Sequence, residues 1–306
     1  MSRVLVTGAT GFIGRQALAP LRSRGFDVHA VARRRGTDDG ATWHEADLLE
    51  PGEAERIVDA ARPTHLLHLA WFAEHGEYWE SPENVRWVEA SLRLLRAFHG
   101  QGGVRAVFAG TCAEYDWDYG WCSEDVTPLL PRTLYGVSKN ALRALVDAFA
   151  GQTALSTAWG RIFFLHGPYE RPARFVSSVS RALVVGERVP VSHGRQVRDF
   201  LHVADVADAF AALLTSDVLG PVNIASGEPR TIVSVLEVIS DICQCPDLVQ
   251  IGAVESPPDD PPLIVADIRR LRNEVAWQPK RTFEQGIAET VEWWRLNQAA
   301  VPTASG

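Results

Sequence analysis

The stretch RVLVTGATGFIG, residues 3–14, decides the fold class of this chain. The apolar run from Arg3 to Val6 predicts a short buried strand, Phe12 to Arg24 predicts a helix, and Asp27 to Val31 predicts a second strand. A strand, a glycine-containing turn, a helix and another strand in this order are typical of dinucleotide-binding folds. The sequence therefore predicts an α/β protein built on a Rossmann-type, doubly wound parallel sheet.

The glycines of the turn have separate predicted roles. Gly8 permits the tight turn, Gly11 lets the backbone approach a pyrophosphate, and Gly14 allows the helix to pack closely. The anion would then rest at the helix N-terminus, where unpaired N–H groups point toward it. Further candidate cofactor contacts in the same turn are Thr10, Phe12 and Ile13.

Strands and helices continue to alternate through the first half of the chain. Further strands are predicted at Leu66 to Leu69, Ala106 to Ala109 and Ser156 to Phe164. Helical periodicity covers Asn84 to Phe98 and Tyr135 to Phe149. A parallel sheet with crossover helices requires this alternation.

The second half of the chain has a looser pattern, broken by proline and glycine. From this change we expect a dinucleotide-binding domain over residues 1–166, with a returning segment around residues 198–225. A smaller, discontinuous substrate-binding α/β domain is expected over residues 167–300. The proline-rich run from Ser256 to Pro262 is predicted to be a loop.

The composition limits the location and the partners of the protein. The chain has 306 residues, of which 46% are hydrophobic and 22% charged, and a formal net charge of −8. No apolar stretch is long enough to cross a bilayer and the chain starts directly with the first strand, so we expect a cytoplasmic protein without a membrane partner. The negative charge argues against binding of nucleic acid. The cysteines lack the paired spacing of a zinc site, so no metal is expected.

Tyr135 and Lys139, four residues apart, are the candidate catalytic pair. On a helix these positions lie one above the other, so both side chains can reach one ligand. A phenol alone titrates near pH 10, and a neighbouring ammonium favours the phenolate, which makes the tyrosine a usable acid or base closer to neutrality. The same spacing is common on helix surfaces, but here it occurs together with the glycine turn and with Thr111 upstream.

Together these motifs resemble the extended short-chain dehydrogenases/reductases, the branch that contains sugar-nucleotide epimerases, dehydratases and ketoreductases. The resemblance covers nearly the whole chain. Its motifs are the turn at residues 7–14, Asp47-Leu48, His68-Leu69-Ala70, Thr111 with Tyr115, Tyr135 with Lys139, Arg161 before Gly167-Pro168, Arg198-Asp199-Phe200 and Trp277-Gln278-Pro279. The resemblance implies that Thr111, Tyr135 and Lys139 form the catalytic set and that Lys139 binds the nicotinamide ribose. Further cofactor contacts are implied at Asp47, Leu48, Leu69 and Ala70.

The end of the second predicted strand bears on the choice of cofactor. NAD-selective folds place Asp or Glu there to bond the ribose 2′-hydroxyl, whereas this chain continues with Arg33 and Arg34. Guanidinium groups match a 2′-phosphate, so we expect NADP(H) in preference to NAD(H). The alternative for these arginines is a solvated basic turn, and the alternative for Asp47 is a helix cap.

The residues after Thr111 bear on the reaction. The family's 4,6-dehydratases resemble one another in having an acid two places after this residue, often with a polar group between, and this chain has Cys112 and Ala113 there. Glu114 follows, but in an extended segment a displacement by one residue points its side chain to the other side. Dehydration is therefore disfavoured, which leaves ketone reduction and 4-epimerisation.

Substrate contacts are predicted in the second half of the chain and in two loops. Arg198 resembles the family arginine that grips a sugar-nucleotide diphosphate, with a structural ion pair to Asp199 or Asp205 as the alternative. Phe164 stands where many relatives have an asparagine that bonds this diphosphate, so the usual grip is altered. Loops at the carboxyl edge of the sheet add Trp71, Cys112 and Glu114 as candidate contacts. Their aromatic residues would hold a sugar ring or form ordinary lid packing.

The sequence thus predicts NADPH-dependent reduction of a nucleotide-linked, deoxygenated 4-keto sugar. The rivals are a 4-epimerase that retains its cofactor and, less favoured, a non-catalytic NADPH-sensing protein. Relatives usually dimerise through two helices per subunit, which implies a homodimer through the two predicted helices that begin at Asn84 and Tyr135. Its apolar surface would come from Leu92, Leu95, Leu142 and Leu145, unless these leucines face the sheet.

Overall fold

A parallel sheet forms the centre of the protein, in a computed structural model that describes residues 2–297. In this range the strands are β1 (Arg3–Thr7), β2 (Asp27–Ala32), β3 (Thr42–Glu45), β4 (His65–His68), β5 (Arg105–Thr111), β6 (Trp121–Cys122), β7 (Ser156–Ile162), β8 (Phe164–His166), β9 (Val189–Val191), β10 (Val197–His202), β11 (Gly220–Ile224), β12 (Pro229–Thr231), β13 (Val249–Ile251) and β14 (Leu263–Ala266). The central sheet has the strand order β11-β7-β5-β4-β1-β2-β3, and its neighbouring strands are all parallel.

Helices cover both faces of this sheet. They are α1 (Gly14–Ser23), α2 (Glu53–Ala61), α3 (Glu83–Gly100), α4 (Leu134–Thr153), α5 (Phe175–Val184), α6 (Val203–Thr215), α7 (Ile232–Cys243), α8 (Arg269–Asn273) and α9 (Phe283–Leu296). Helices α1 and α6 pack together on one face, and α2, α3 and α4 pack on the other. Within residues 2–297, no helix has the length and hydropathy needed to cross a membrane.

Strand β1 shows how the sequence forms the two layers of the core. Val4 and Val6 point into the cluster beneath α1 and α6, whereas Leu5 points into the cluster beneath α2 and α3. All three side chains are fully buried. Alternate residues of a strand face opposite sides, so a strand covered on both faces must be apolar throughout.

A second, mixed sheet is formed mostly by the later part of the chain, with one short strand, β6, from the first half. Its order is β12-β10-β14-β6, and β8 also pairs with β10. Helices α5, α7 and α9 pack around Phe200 of β10 and Phe283 of α9. The segment expected to return at residues 198–225 is divided between the sheets, because β10 belongs to the second sheet while β11 forms an edge of the central one. The division into two domains remains a prediction.

Most predicted elements differ from the structure by a few residues at their ends, and two of these differences have a clear physical cause. The strand expected from Ser156 to Phe164 is two strands, because the chain leaves the central sheet at Phe163, and β8 then pairs with β10. The first helix begins at Gly14 instead of Phe12, because the Gly11 N–H bonds the Gly8 carbonyl at 2.9 Å and extends the turn. The run from Ser256 to Pro262 is irregular, as predicted.

Candidate active site

The strand order reverses beside β1, because β2 lies on one side of it and β4 on the other. A crevice opens at the carboxyl ends of the strands at such a switch point, and ligands bind there in open α/β sheets. Both strand ends are fixed by hydrogen bonds: Thr7 Oγ1 lies 2.7 Å from His68 Nδ1 and accepts from the Ala70 N–H at 3.2 Å. The glycine turn and the loop after β4 therefore meet at this crevice.

The glycine turn has no room for side chains at two positions. Gly8 has φ 67°, and a Cβ there would lie 2.9 Å from Ala70 N. A Cβ on Gly14 would lie 2.1 Å from the Gly8 carbonyl oxygen, a severe collision. The N-terminus of α1 thus opens onto a bare backbone cradle, and this shape fits a pyrophosphate group.

The three candidate catalytic residues lie together at the end of β5. Thr111 is the last residue of that strand, while Tyr135 and Lys139 lie one turn apart at the start of α4. The Thr111 side chain lies near enough to Tyr135 to lower the pKa of its phenol, and Lys139 Nζ donates to the Ala109 carbonyl oxygen at 2.9 Å. The Tyr135 N–H donates to the Trp79 carbonyl oxygen at 2.9 Å, which fixes the start of the helix against the loop after β4.

The protonation of this set differs from the expectation that Lys139 makes Tyr135 more acidic. Burial raises the pKa of the Tyr135 phenol, and the Thr111 side chain opposes this only in part. Burial also lowers the pKa of Lys139 to about 7, against the attraction of Glu114. Desolvation disfavours both charged forms, so in the protein alone the phenol is a proton donor and the lysine titrates near neutrality.

Aromatic side chains surround Tyr135. The ring of Tyr78 meets it edge-on at 5.0 Å between centroids, and the ring of Trp79 does so at 5.8 Å. Trp117 packs against Trp79 at 6.3 Å. Trp71, predicted as a substrate contact, lies over Lys139, with Nζ 3.6 Å from the centroid of its ring.

Glu114, also predicted as a substrate contact, is a buried structural residue. Residues 112–114 form a 3₁₀ turn and not an extended segment, and Glu114 is fully buried. Its carboxylate accepts from Arg161 Nε and from Trp159 Nε1, both at 2.8 Å, and from the Thr111 N–H at 2.9 Å. The side chain therefore holds β5 to β7 and does not face the crevice. The spacing of Thr111 and Glu114 is that of a capping box, a sequence signal that predicts this inward turn.

The remaining predicted substrate residues are also engaged within the protein. Arg198 is 5% exposed and pairs with Asp260 at 2.5 Å, not with Asp199 or Asp205. Its guanidinium lies 5.5 Å from the centroid of the Phe164 ring. Cys112 is buried, and its backbone carbonyl oxygen accepts from Trp117 Nε1.

The predicted cofactor residues beyond the glycine turn lie at the ends of β2, β3 and β4. Arg33 and Arg34 are exposed, and neither forms an ion pair within residues 2–297. Asp47 accepts from the Leu49 N–H at 3.0 Å and does not cap α2, whose N-cap is Gly52. Leu48 is buried in the core, Leu69 is partly buried, and Ala70 contacts the glycine turn.

Sequence reasoning missed Glu170 and Arg174, which lie in the connection between β8 and α5. Arg174 Nη1 donates to Tyr78 Oη at 3.4 Å and so reaches the aromatic group around Tyr135. Glu170 is 7% exposed and accepts from the Ser177 hydroxyl at 2.8 Å. No local pattern predicts the contact of Arg174, because Tyr78 lies 96 residues earlier in the chain, and the spacing of Glu170 and Ser177 matches no motif.

We expect Glu170→Gln to raise the melting temperature by several degrees at pH 8 and to change it little near pH 5. Burial raises the pKa of the Glu170 carboxyl from 4.5 to about 7. The pKa in the folded protein lies above that in the unfolded chain, so the wild type loses stability as the pH rises from 4.5 to about 7. Above this interval the loss amounts to about 3 kcal/mol. Circular dichroism melts at both pH values provide the measurement, with the exposed Glu187→Gln as control. Equal effects at the two pH values would contradict this account.

Comparison with known proteins agrees with this geometry. A family model described as the NAD dependent epimerase/dehydratase family matches residues 4–225. The chain belongs to this family. It is therefore an enzyme of the extended short-chain dehydrogenase/reductase type in an NAD-dependent family, and both the predicted family and the predicted fold class are confirmed.

Relatives of this epimerase/dehydratase-family protein act on sugar nucleotides. It is 28% identical to a dTDP-glucose 4,6-dehydratase of Xanthomonas campestris, with 98% of this chain and 95% of the relative covered. It is 27% identical to the dTDP-6-deoxy-L-talose 4-dehydrogenase (NAD(+)) of Aggregatibacter actinomycetemcomitans, over 76% of this chain and 88% of that protein. The UDP-glucose 4-epimerase of Thermus thermophilus, solved in complex with NAD, superimposes with a TM-score of 0.84 at 28% identity and covers 96% of this chain and 99% of its own.

Proposed function

We propose that this enzyme uses NADPH to reduce the ketone of a nucleotide-linked, deoxygenated 4-keto sugar. The observation that carries the proposal is the end of β2, where Ala32 is followed by two exposed arginines, Arg33 and Arg34, with no ion-pair partner in the described chain. A 2′-phosphate suits such guanidinium groups. A reductase exchanges its cofactor at every turnover, and NADPH is its usual hydride donor. A preference of this enzyme for NADPH therefore favours reduction over epimerisation.

The catalytic set has a role for each member in this reaction. The bound cofactor would supply the hydride to the carbonyl carbon. Tyr135 donates its phenolic proton to the oxygen on which charge develops, and its raised pKa keeps that proton in place beforehand. Thr111 hydrogen-bonds the same oxygen. Lys139 holds the nicotinamide ribose and, once charged, makes Tyr135 a stronger acid.

A 4-epimerase is the second candidate, and the Thermus thermophilus relative with bound NAD favours it. An epimerase uses the same three residues but retains its cofactor. A dehydratase is less well supported, because Cys112 and Ala113 supply neither the acid nor the base that water elimination needs.

The reaction is tested with dTDP-4-keto-6-deoxyglucose and NADPH. We expect loss of one NADPH for each ketone reduced, followed by absorbance and by product mass. Interconversion of C4 epimers without loss of absorbance would assign the enzyme to the epimerases. Formation of a 4-keto-6-deoxy product from dTDP-glucose would show a dehydratase instead.

Replacement of both Arg33 and Arg34 by Ala should weaken NADPH binding by about 2–4 kcal/mol, since each charged hydrogen bond contributes roughly 1.5–3 kcal/mol before screening. Binding of NADH should hardly change. Fluorescence titration with both cofactors measures the difference. Arg35→Ala is the matched control, because Arg35 already pairs with Asp39. Equal losses for the two cofactors would mean that the arginines support the fold.

We also propose a two-fold dimer through α3 and α4. Leu95 and Leu142 are buried in the core of the subunit itself and cannot form the interface, whereas Leu145 is 48% exposed, with Val85 and Val137 similarly exposed on the same two helices. Light scattering at micromolar concentration should give twice the 33.6 kDa mass of one chain. Leu145→Glu should shift this mass toward the monomer, and Leu219→Glu, also exposed, should not. A monomeric wild type would refute the dimer.

A further inference from the structure

The indole of Trp71 replaces part of the hydration that Lys139 has lost. Lys139 is 4% exposed, and within residues 2–297 its ammonium donates one hydrogen bond, to the Ala109 carbonyl oxygen. An ammonium has three N–H donors. The ring of Trp71, with its centroid 3.6 Å from Nζ, places its electron-rich face against the cation.

The orientation of this indole is fixed by a buried amide. Trp71 Nε1 donates to Asn84 Oδ1 at 2.8 Å, and Asn84 is fully buried in the first turn of α3. Asn84 Nδ2 donates to the carbonyl oxygens of Tyr78 and Ser81 at 2.7 and 2.9 Å. Since both ends of the amide are bonded, the amide cannot reverse without losing these bonds. The Trp71 ring is thereby held over the lysine.

Few other groups favour the charged form of Lys139. Glu114, on the 3₁₀ turn, raises the pKa of Lys139, but burial dominates and lowers it to about 7. His68, on β4, is buried with a lowered pKa and is neutral near pH 7, and Tyr135, on the same helix, has a raised pKa and is also neutral there. The indole is therefore a principal contact that opposes the loss of the proton.

We propose that Trp71 is a positioning residue that keeps Lys139 charged and in place beside the cofactor ribose. This inference rests on the proposed function, in which Lys139 holds that ribose. Trp71 touches neither the reacting carbonyl nor Tyr135 in this role. It acts through the lysine, and Asn84 acts through the indole.

The test follows the pH dependence of NADH and NADPH binding by fluorescence, from about pH 5.5 to 9, a range that spans the titration of Lys139. Affinity of the wild type should fall as Lys139 loses its proton. In Trp71→Leu the midpoint of this fall should move about one pH unit lower, because a desolvated cation–π contact changes the ionisation constant roughly tenfold. Trp71→Phe keeps a weaker aromatic face, so its midpoint should lie between the two.

Two control variants identify the titrating group. Lys139→Met should abolish the pH-dependent fall. Trp87→Leu removes an indole whose ring lies 6.2 Å from that of Trp71 without a contact to Lys139, so its midpoint should equal that of the wild type. These controls separate loss of the cation–π contact from general loss of packing.

An unchanged midpoint in both Trp71 variants would overturn the proposal, as would a rise in the midpoint caused by water reaching the ammonium. Persistence of the fall in Lys139→Met would overturn it as well. The readout is cofactor binding and needs no sugar, so a wrong substrate would leave the result intact. A wrong cofactor preference would appear separately, as tighter binding of NADH with the same order of midpoints.

Discussion

Turnover of Tyr135→Phe should fall by about 10²–10⁴-fold while the cofactor still binds, because the variant keeps the ring and loses the proposed general acid. The phenylalanine ring would retain the edge-on contacts with Tyr78 and Trp79, so the fold should be undisturbed. Stopped-flow reduction of the sugar ketone, with a cofactor titration beside it, provides the measurement.

Tyr119→Phe is the matched control for this experiment. Tyr119 is 56% exposed and lies outside the catalytic set, so loss of its hydroxyl should leave turnover unchanged. Turnover near the wild-type value in Tyr135→Phe would remove the phenol from the mechanism. A fall in cofactor affinity of the same size as the fall in turnover would instead indicate a binding role.

The largest loss of stability should come from Glu114→Ala, at roughly 3–5 kcal/mol, because it leaves the buried charge of Arg161 without its partner. Both side chains are at most 1% exposed. The change also removes the acceptor for Trp159 Nε1 and for the Thr111 N–H. Urea unfolding without ligands measures the free energy of unfolding directly.

The conservative change separates charge from hydrogen bonding. Glu114→Gln keeps an acceptor oxygen but loses the charge. Its free energy of unfolding should therefore fall by less than that of Glu114→Ala. Glu77→Ala, at an exposed position, is the control and should change stability by less than about 0.5 kcal/mol. If Glu114→Ala were as stable as the wild type, the structural role of Glu114 would be contradicted. The predicted role as a substrate contact would then be favoured.

Local signals explain why the fold was predictable from the sequence. Strand β1, the glycine turn and helix α1 follow one another in the chain. Their geometry depends on residues that are close together in sequence. The pairing of Tyr135 with Lys139 has the same character, because helical spacing alone puts both on one face. Such signals do not depend on where the rest of the chain goes.

Long-range pairings explain what the sequence alone did not predict. Glu114 meets Arg161 from a strand 47 residues later, and Arg198 meets Asp260 from a loop 62 residues later. Tyr135 and Lys139 pack against the rings of Trp71, Tyr78 and Trp79 from the distant loop after β4. Burial reverses the expected shift in the pKa of the tyrosine. The capping-box spacing of Thr111 and Glu114 is a local signal from which the inward turn of Glu114 follows, but the sequence prediction treated this segment as extended.

Phe163, the single residue between β7 and β8, joins the two sheets mechanically. Because a single residue connects β7 to β8, a rotation of the second sheet would displace the end of β7. Arg161, two residues before the joint, is bonded to Glu114, which in turn is bonded to the Thr111 N–H. We therefore expect any displacement of the second sheet to shift Thr111 through the buried ion pair of Arg161 and Glu114.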